Sequence, residues 1–262
     1  MSYLIKYMEA EGYTQVISKN SKNLNYIELG ILRLSKENSF TNKEESKETA
    51  LIILSGRCII KCDKYEWKSI GKRKSVFEGK AYAVYIPPNH NYEIVGESEV
   101  EIAVCKAPSD LKSEPVLITP DDVKCRIVGK SNWERKVCDI INLDINAKRL
   151  VVGETFNPPG NWSSYPPHKH DEDNLPCEVK MEEVYFFKIK PQQGFGMQRL
   201  YTKSKDMDEV YVIENNDVVV IPKGYHPVVA APGYALYYLW VLAGENRILK
   251  PNDDPEHAWI KN

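Results

Sequence analysis

The chain has 262 residues, a net charge of −2 and 42% hydrophobic residues. That length suits one large β domain or two small ones. A near-neutral charge with no basic stripe argues against nucleic acid, and no stretch approaches the length of an apolar membrane span. The start, MSYLIKYMEA, lacks the apolar core of a signal peptide. We therefore expect a cytoplasmic protein. Its six cysteines, Cys58, Cys62, Cys105, Cys125, Cys138 and Cys177, are expected as reduced thiols, because a chain this long does not need disulfide staples.

In chain order, the first dozen residues read as short turns. Asn25 to Leu34 is the first clear strand, with Ile27, Leu29 and Ile31 alternating. Ser39 to Glu48 carries mixed charges and reads as a solvated loop. Thr49 to Leu54 and Cys58 to Lys61 bracket Ser55-Gly56 and read as a hairpin. Cys58 and Cys62, four apart on one strand, are separated by roughly 13 Å and cannot grip one ion. Further strands are expected at Tyr65 to Ile70, Ala81 to Ile86, Tyr92 to Val95 and Val100 to Cys105. Pro108 to Pro120 breaks the pattern and reads as a linker. Asp121 to Trp133 then leads into strands at Lys136 to Ile145 and Leu150 to Phe156. After residue 180 come Val184 to Ile189, Gly196 to Thr202, Glu209 to Ile213, Asp217 to Ile221 and Ala235 to Leu242, before a polar tail from Pro251. Strand following strand with turns between is the pattern of an all-β sandwich or barrel.

Between Asn157 and Tyr185 lies the stretch that carries chemistry. His168 and His170 are two apart, so in a strand they share a face, with roughly 6–7 Å between attachment points. Lys169 points the other way. Glu183 heads the next strand and can lean toward the histidines. His226 follows the turn Pro222-Lys223-Gly224, where proline stiffens and glycine bends the backbone. Three imidazoles and a carboxylate suit a transition metal and not calcium or magnesium. Pro87-Pro88-Asn89-His90 is a worn copy of the Pro-x-Gly-x-His turn. It points to an internal duplication whose first half, lacking His-x-His, is structural.

His-x-His, a later Glu and Pro-x-Gly-x-His resemble the metal signature of the cupins. Over a longer span, NPPGNWSSYPPHKHDEDNLP, EEVYFF, GFGMQRLYT, PKGYHPVVAAPGY and YYLWVLAGEN resemble the 5-deoxy-glucuronate isomerases of bacterial inositol catabolism. More distantly they resemble the uronate ketol-isomerases of pectin breakdown. The likeness is dense from about Val151 onward. It implies a bicupin of two β-barrel (jelly-roll) halves, with residues 1–110 lacking a metal site and 121–262 holding one. It implies a divalent metal, zinc first and iron or manganese next, on His168, His170, Glu183 and His226. The glutamate is placed at 183 because the related uronate isomerases carry theirs directly before Val-Tyr. The implied activity is aldose–ketose isomerisation of 5-deoxy-D-glucuronate to 5-dehydro-2-deoxy-D-gluconate in myo-inositol degradation. The alternatives on the same scaffold are a 4-deoxy uronate isomerase and a metal-dependent dioxygenase.

Such a reaction needs a base, and Glu182, Tyr185 or a metal-bound hydroxide are the candidates. Tyr185 shares Glu183's face by alternation. A metal-assisted hydride shift is the other route. The substrate carboxylate needs a cation, for which Arg199 has the matching fork. The expected partner is a small sugar acid, and exposed barrel edges point to a homo-oligomer.

Overall fold

The computed structural model describes residues 2–261, which are built of strands. The first part runs β1 (Leu4–Lys6), β2 (Gly12–Ile17), β3 (Glu28–Leu34), β4 (Ser39–Glu44), β5 (Lys47–Ser55), β6 (Cys58–Cys62), β7 (Tyr65–Ile70), β8 (Ala83–Ile86), β9 (His90–Gly96), β10 (Val100–Pro108) and β11 (Val116–Ile118). The second runs β12 (Lys124–Val128), β13 (Arg135–Ile141), β14 (Val151–Asn157), β15 (Trp162–Ser163), β16 (His168–Lys169), β17 (Glu182–Lys190), β18 (Gly196–Tyr201), β19 (Asp208–Ile213), β20 (Asp217–Ile221), β21 (Val228–Ala230), β22 (Ala235–Ala243) and β23 (Asn252–Asp253). The expected all-β, two-jelly-roll architecture is present: each half pairs a large sheet with a four-stranded one.

The two large sheets follow one plan. One has the order β11-β8-β5-β10-β3-β2 and the other β1-β20-β17-β22-β14-β13-β12. Register agrees as well. Thr49 lies opposite Ile86 and Lys106, as Glu183 lies opposite Ile221 and Leu242. Counting on from Ile86 and Ile221, Asn89 (φ 67°) stands for Gly224 (φ 84°) and Asn91 for His226. The register thus supports the duplication. It also shows why the first half is bare of donors: Thr49 and Asn91 stand where the second half has Glu183 and His226.

Both faces of each large sheet are buried, which explains unbroken apolar runs where alternation was sought. On β5, Leu51 and Ile53 fill the interior of the first barrel, while Ala50, Ile52 and Leu54 join the core shared with the second half. The first half also lends an edge strand to the second, while the strand in the linker stays with the first. β1 pairs with β20 of the second half, and β11 with β8 of the first. Boundaries at 110 and 121 therefore cut across both pairings. Two buried carboxylates tie the halves reciprocally. Glu48 accepts backbone N–H bonds from Lys148, Arg149 and Leu150 (2.7–2.8 Å). Glu182, its counterpart by register, accepts from Asn25, Tyr26 and Ile27 (2.6–2.7 Å).

Four local expectations are corrected. Residues 39–44 are a strand, not a loop: β4 pairs with β9 and keeps its polar side in solvent. β5 and β6 do not form a hairpin but enter different sheets. The corner between them is Gly56, at φ +84°, where a Cβ would lie 2.0 Å from the Glu99 carbonyl oxygen. The first residues and the linker hold β1, β2 and β11, short strands that pairing stabilises and local pattern hides. Finally, Cys125 and Cys138 are joined in a disulfide. They face each other across the β12–β13 ladder, a juxtaposition that spacing of thirteen residues does not reveal.

Candidate metal centre

His168 sits in β16 and His170 just beyond it, Glu183 in β17, and His226 on the turn after β20. The side chains converge. Ring centroids are 4.8 Å apart for His168 and His226, 5.2 Å for His170 and His226, and 6.4 Å for His168 and His170. Glu183 Oε2 is 3.1 Å from His170 Nε2 and 3.2 Å from His226 Nε2. His226 is fully buried, and His170 and Glu183 nearly so.

The surroundings orient these rings. His170 Nδ1 lies 2.6 Å from the Met181 carbonyl, and His226 Nδ1 lies 3.1 Å from that of Gly224. Carbonyls only accept, so each Nδ1 carries a proton, and the Nε2 of His226 turns a lone pair inward. β23 lies alongside β16, with Asp253 opposite His168, and the Asp254 N–H donates to the Pro167 carbonyl at 2.7 Å. Asp171 accepts the Gly224 N–H at 2.7 Å, which holds the His226 turn to the His170 segment.

The electrostatics indicate what belongs between the rings. Burial pushes His168 and His226 down to about 3, so both are neutral at pH 7. Burial also opposes charge on His170, but the hydrogen bond and charge of Glu183 outweigh it and hold that pKa above its ordinary value. His226 Nε2 is a buried lone pair with no hydrogen-bond partner, and it faces a carboxylate oxygen. Two acceptors at 3.2 Å repel unless a cation lies between them. His170, Glu183 and His226 bring donor atoms within 4.8 Å of one another and fit a divalent transition metal; the His168 ring lies beside them. The cluster opens on a cavity of ≈ 200 Å³ whose wall includes Ser164, Tyr185, Tyr238 and Arg135.

A model of the KduI/IolB family matches residues 3–260 of this chain. The chain belongs to the KduI/IolB family. Among similar proteins, the 5-deoxy-glucuronate isomerase of Geobacillus kaustophilus is 43% identical over 251 residues, covering 95% of this chain and 91% of that one. The protein of the same name from Bacillus subtilis is 37% identical and covered to 99% on both sides. The crystal structure of an IolB-like protein from Salmonella typhimurium superposes with a TM-score of 0.97 at 34% identity, with both chains fully covered. An oxalate decarboxylase from Lactobacillus farciminis, at a TM-score of 0.69 and 11% identity over 97% of this chain and 88% of its own, shares the fold.

In this KduI/IolB member Tyr185 stands where alternation predicts. Its ring stacks on Tyr238 at 4.3 Å and its hydroxyl lies 2.9 Å from Ser164 Oγ. Glu182 does not reach the cluster, because its carboxylate is spent on the three backbone N–H groups of residues 25–27. Arg199 is also elsewhere. It makes two 2.7 Å bonds to Asp208 and lies over the Tyr201 ring, on the outer sheet. Two arginines line the cavity: Arg126, which is exposed and paired with Asp139, and Arg135, the residue just before the point where the sequence pattern begins its strand. Among the described residues a second group, Cys62, Asp63 and His90, lies in the first half. There His90 Nδ1 is 2.5 Å from Asp63, and burial with the Asp63 charge pushes the Cys62 thiol up to about 12. A protonated thiol beside a satisfied pair is a poor donor set.

Proposed function

We propose that this protein is a 5-deoxy-glucuronate isomerase, converting 5-deoxy-D-glucuronate to 5-dehydro-2-deoxy-D-gluconate in myo-inositol degradation, with zinc or a similar divalent ion on His168, His170, Glu183 and His226. The observation that carries the reading is the buried His226 lone pair opposed to Glu183, beside a cavity that Glu183 lines, in a chain whose relatives bear that enzyme's name.

The reaction moves a carbonyl from C1 to C2 of an open-chain sugar acid. A proton leaves C2, negative charge grows on oxygen in the enediol, and a proton returns to C1. A bound divalent ion would supply Lewis-acid stabilisation of that oxygen charge. The chain's own residues bind and orient the substrate's oxygens. Burial first, then the Glu183 charge and Tyr238, raise the Tyr185 phenol well above its ordinary value. At neutral pH Tyr185 therefore holds its proton and acts as a donor to substrate oxygen, not as a base. Ser164 fixes the phenol, and Ser163 fixes the stacked Tyr238 through a 2.5 Å hydroxyl contact.

Incubating the metal-loaded protein with 5-deoxy-glucuronate and following the carbonyl carbon by NMR tests the reading. Turnover that stops on chelation is expected. An inert metal-loaded enzyme refutes it. Run in deuterium oxide, the same assay places deuterium at C1 if the proton travels by way of an enediol, and none if hydride shifts directly.

A further inference from the structure

We propose that Arg135 is the anchor for the substrate's carboxylate, the role expected, from the sequence, of Arg199 for its matching fork. This rests on the sugar-acid substrate proposed above. Arg135 is 7% exposed and lines the same cavity as His168, His170 and Glu183. Its Nη1 donates to the carbonyls of Trp133 and Tyr165, both at 3.1 Å. Those bonds aim the guanidinium without neutralising it. Its Nε is buried with no partner, and no carboxylate among the described residues lies within ion-pair distance of it.

Buried Arg73 and half-buried Arg247 show how unusual this is. Arg73 is paired with Glu154 through both nitrogens, at 2.5 and 3.1 Å. Arg247 has no carboxylate against it, but Nε, Nη1 and Nη2 all donate to carbonyls of residues 142–150. A guanidinium does not shed its proton, and an unmatched buried charge is costly. Arg135 bears that cost beside a cavity that faces the metal cluster. A planar anion with two oxygens is what its free edge matches. A sugar acid held there by its carboxylate would present its opposite end, the carbonyl, to the imidazoles. The 200 Å³ space is below the roughly 300–1,000 Å³ of drug-sized sites, in keeping with a six-carbon acid.

The test uses D-gluconate, an acid with no carbonyl to isomerise, and sorbitol as its uncharged counterpart. Binding to the metal-loaded protein is measured by calorimetry. We expect the wild type to bind gluconate and not sorbitol, Arg135→Met to lose about 10–100-fold in gluconate affinity, and Arg135→Lys to recover part of it. With 5-deoxy-glucuronate, KM should rise in Arg135→Met more than kcat falls, at unchanged metal content. Should the variants misfold, phenylglyoxal modification of Arg135 in the wild type, slowed by gluconate and not by sorbitol, reads the same contact. A wild type that binds gluconate no better than sorbitol overturns the assignment, as does an Arg135→Met protein with wild-type affinity. Gluconate binding through Arg135 without uronate turnover would remove the isomerase reading and leave the anchor standing.

Discussion

Glu182 and Glu183 are neighbours with opposite tasks, because a strand turns successive side chains to opposite faces. Glu183 faces the imidazoles and Glu182 the first half of the chain. Glu183→Gln should abolish metal binding and activity while the fold persists, as metal analysis and circular dichroism would show. Glu182→Ala should keep the metal but strand three backbone N–H groups, a loss of about 2–4 kcal/mol in urea unfolding. If Glu182→Ala lost its metal first, the assignment of the two carboxylates would be reversed. The imidazoles also set a pH dependence in the metal-free protein. His168 and His226 titrate near 3 when folded and near 6.5 when not, so below 6.5 the unfolded chain binds more protons. Stability is then lost as pH falls from about 6.5 toward 3. His170, shifted upward, opposes this with one site against two. Melting of chelated protein at pH 7 and pH 5 measures the difference, and a higher melting temperature at pH 5 would contradict it.

At the scale of elements, the two-residue β16 is too short to hold His168 alone. Its stability comes from β23, in the tail that reads as merely polar. Tyr201 donates to Asp254 at 2.6 Å and completes that clamp. A chain ending at residue 250 should bind its metal about 10–100-fold more weakly, the usual effect of losing groups that orient ligands. Asp171→Ala, which frees the Gly224 turn, should do the same through His226. Competition with a chelating dye reports both affinities, and unchanged values would show the ligands to be held by β17 and β20 alone.

At the scale of the molecule, the lent edge strand β1 and the shared core make the halves one cooperative body. Calorimetry should show a single transition with matching calorimetric and van't Hoff enthalpies. Two resolved transitions would mean that the halves unfold separately. The duplicated register bears on stoichiometry as well. Lys106, opposite Thr49, is paired with Glu44, and Lys47 with Glu28, so lysine charge occupies the corner that corresponds to the metal cluster. One divalent ion per chain is expected on elemental analysis.

What could be read from the chain by itself is whatever local order expresses. Apolar and β-branched runs between turns marked most strands, a spacing of two put His168 and His170 on one face, and Pro-x-Gly turned His226 inward, because backbone geometry over a few residues dictates each. The polar strand β4, the short β1 and β11, the Cys125–Cys138 pairing, the retirement of Arg199 and the position of Arg135 needed the folded molecule. Each depends on which strand lies beside which. That choice is made by pairing and burial among residues from thirteen to more than two hundred apart, and no local period carries it.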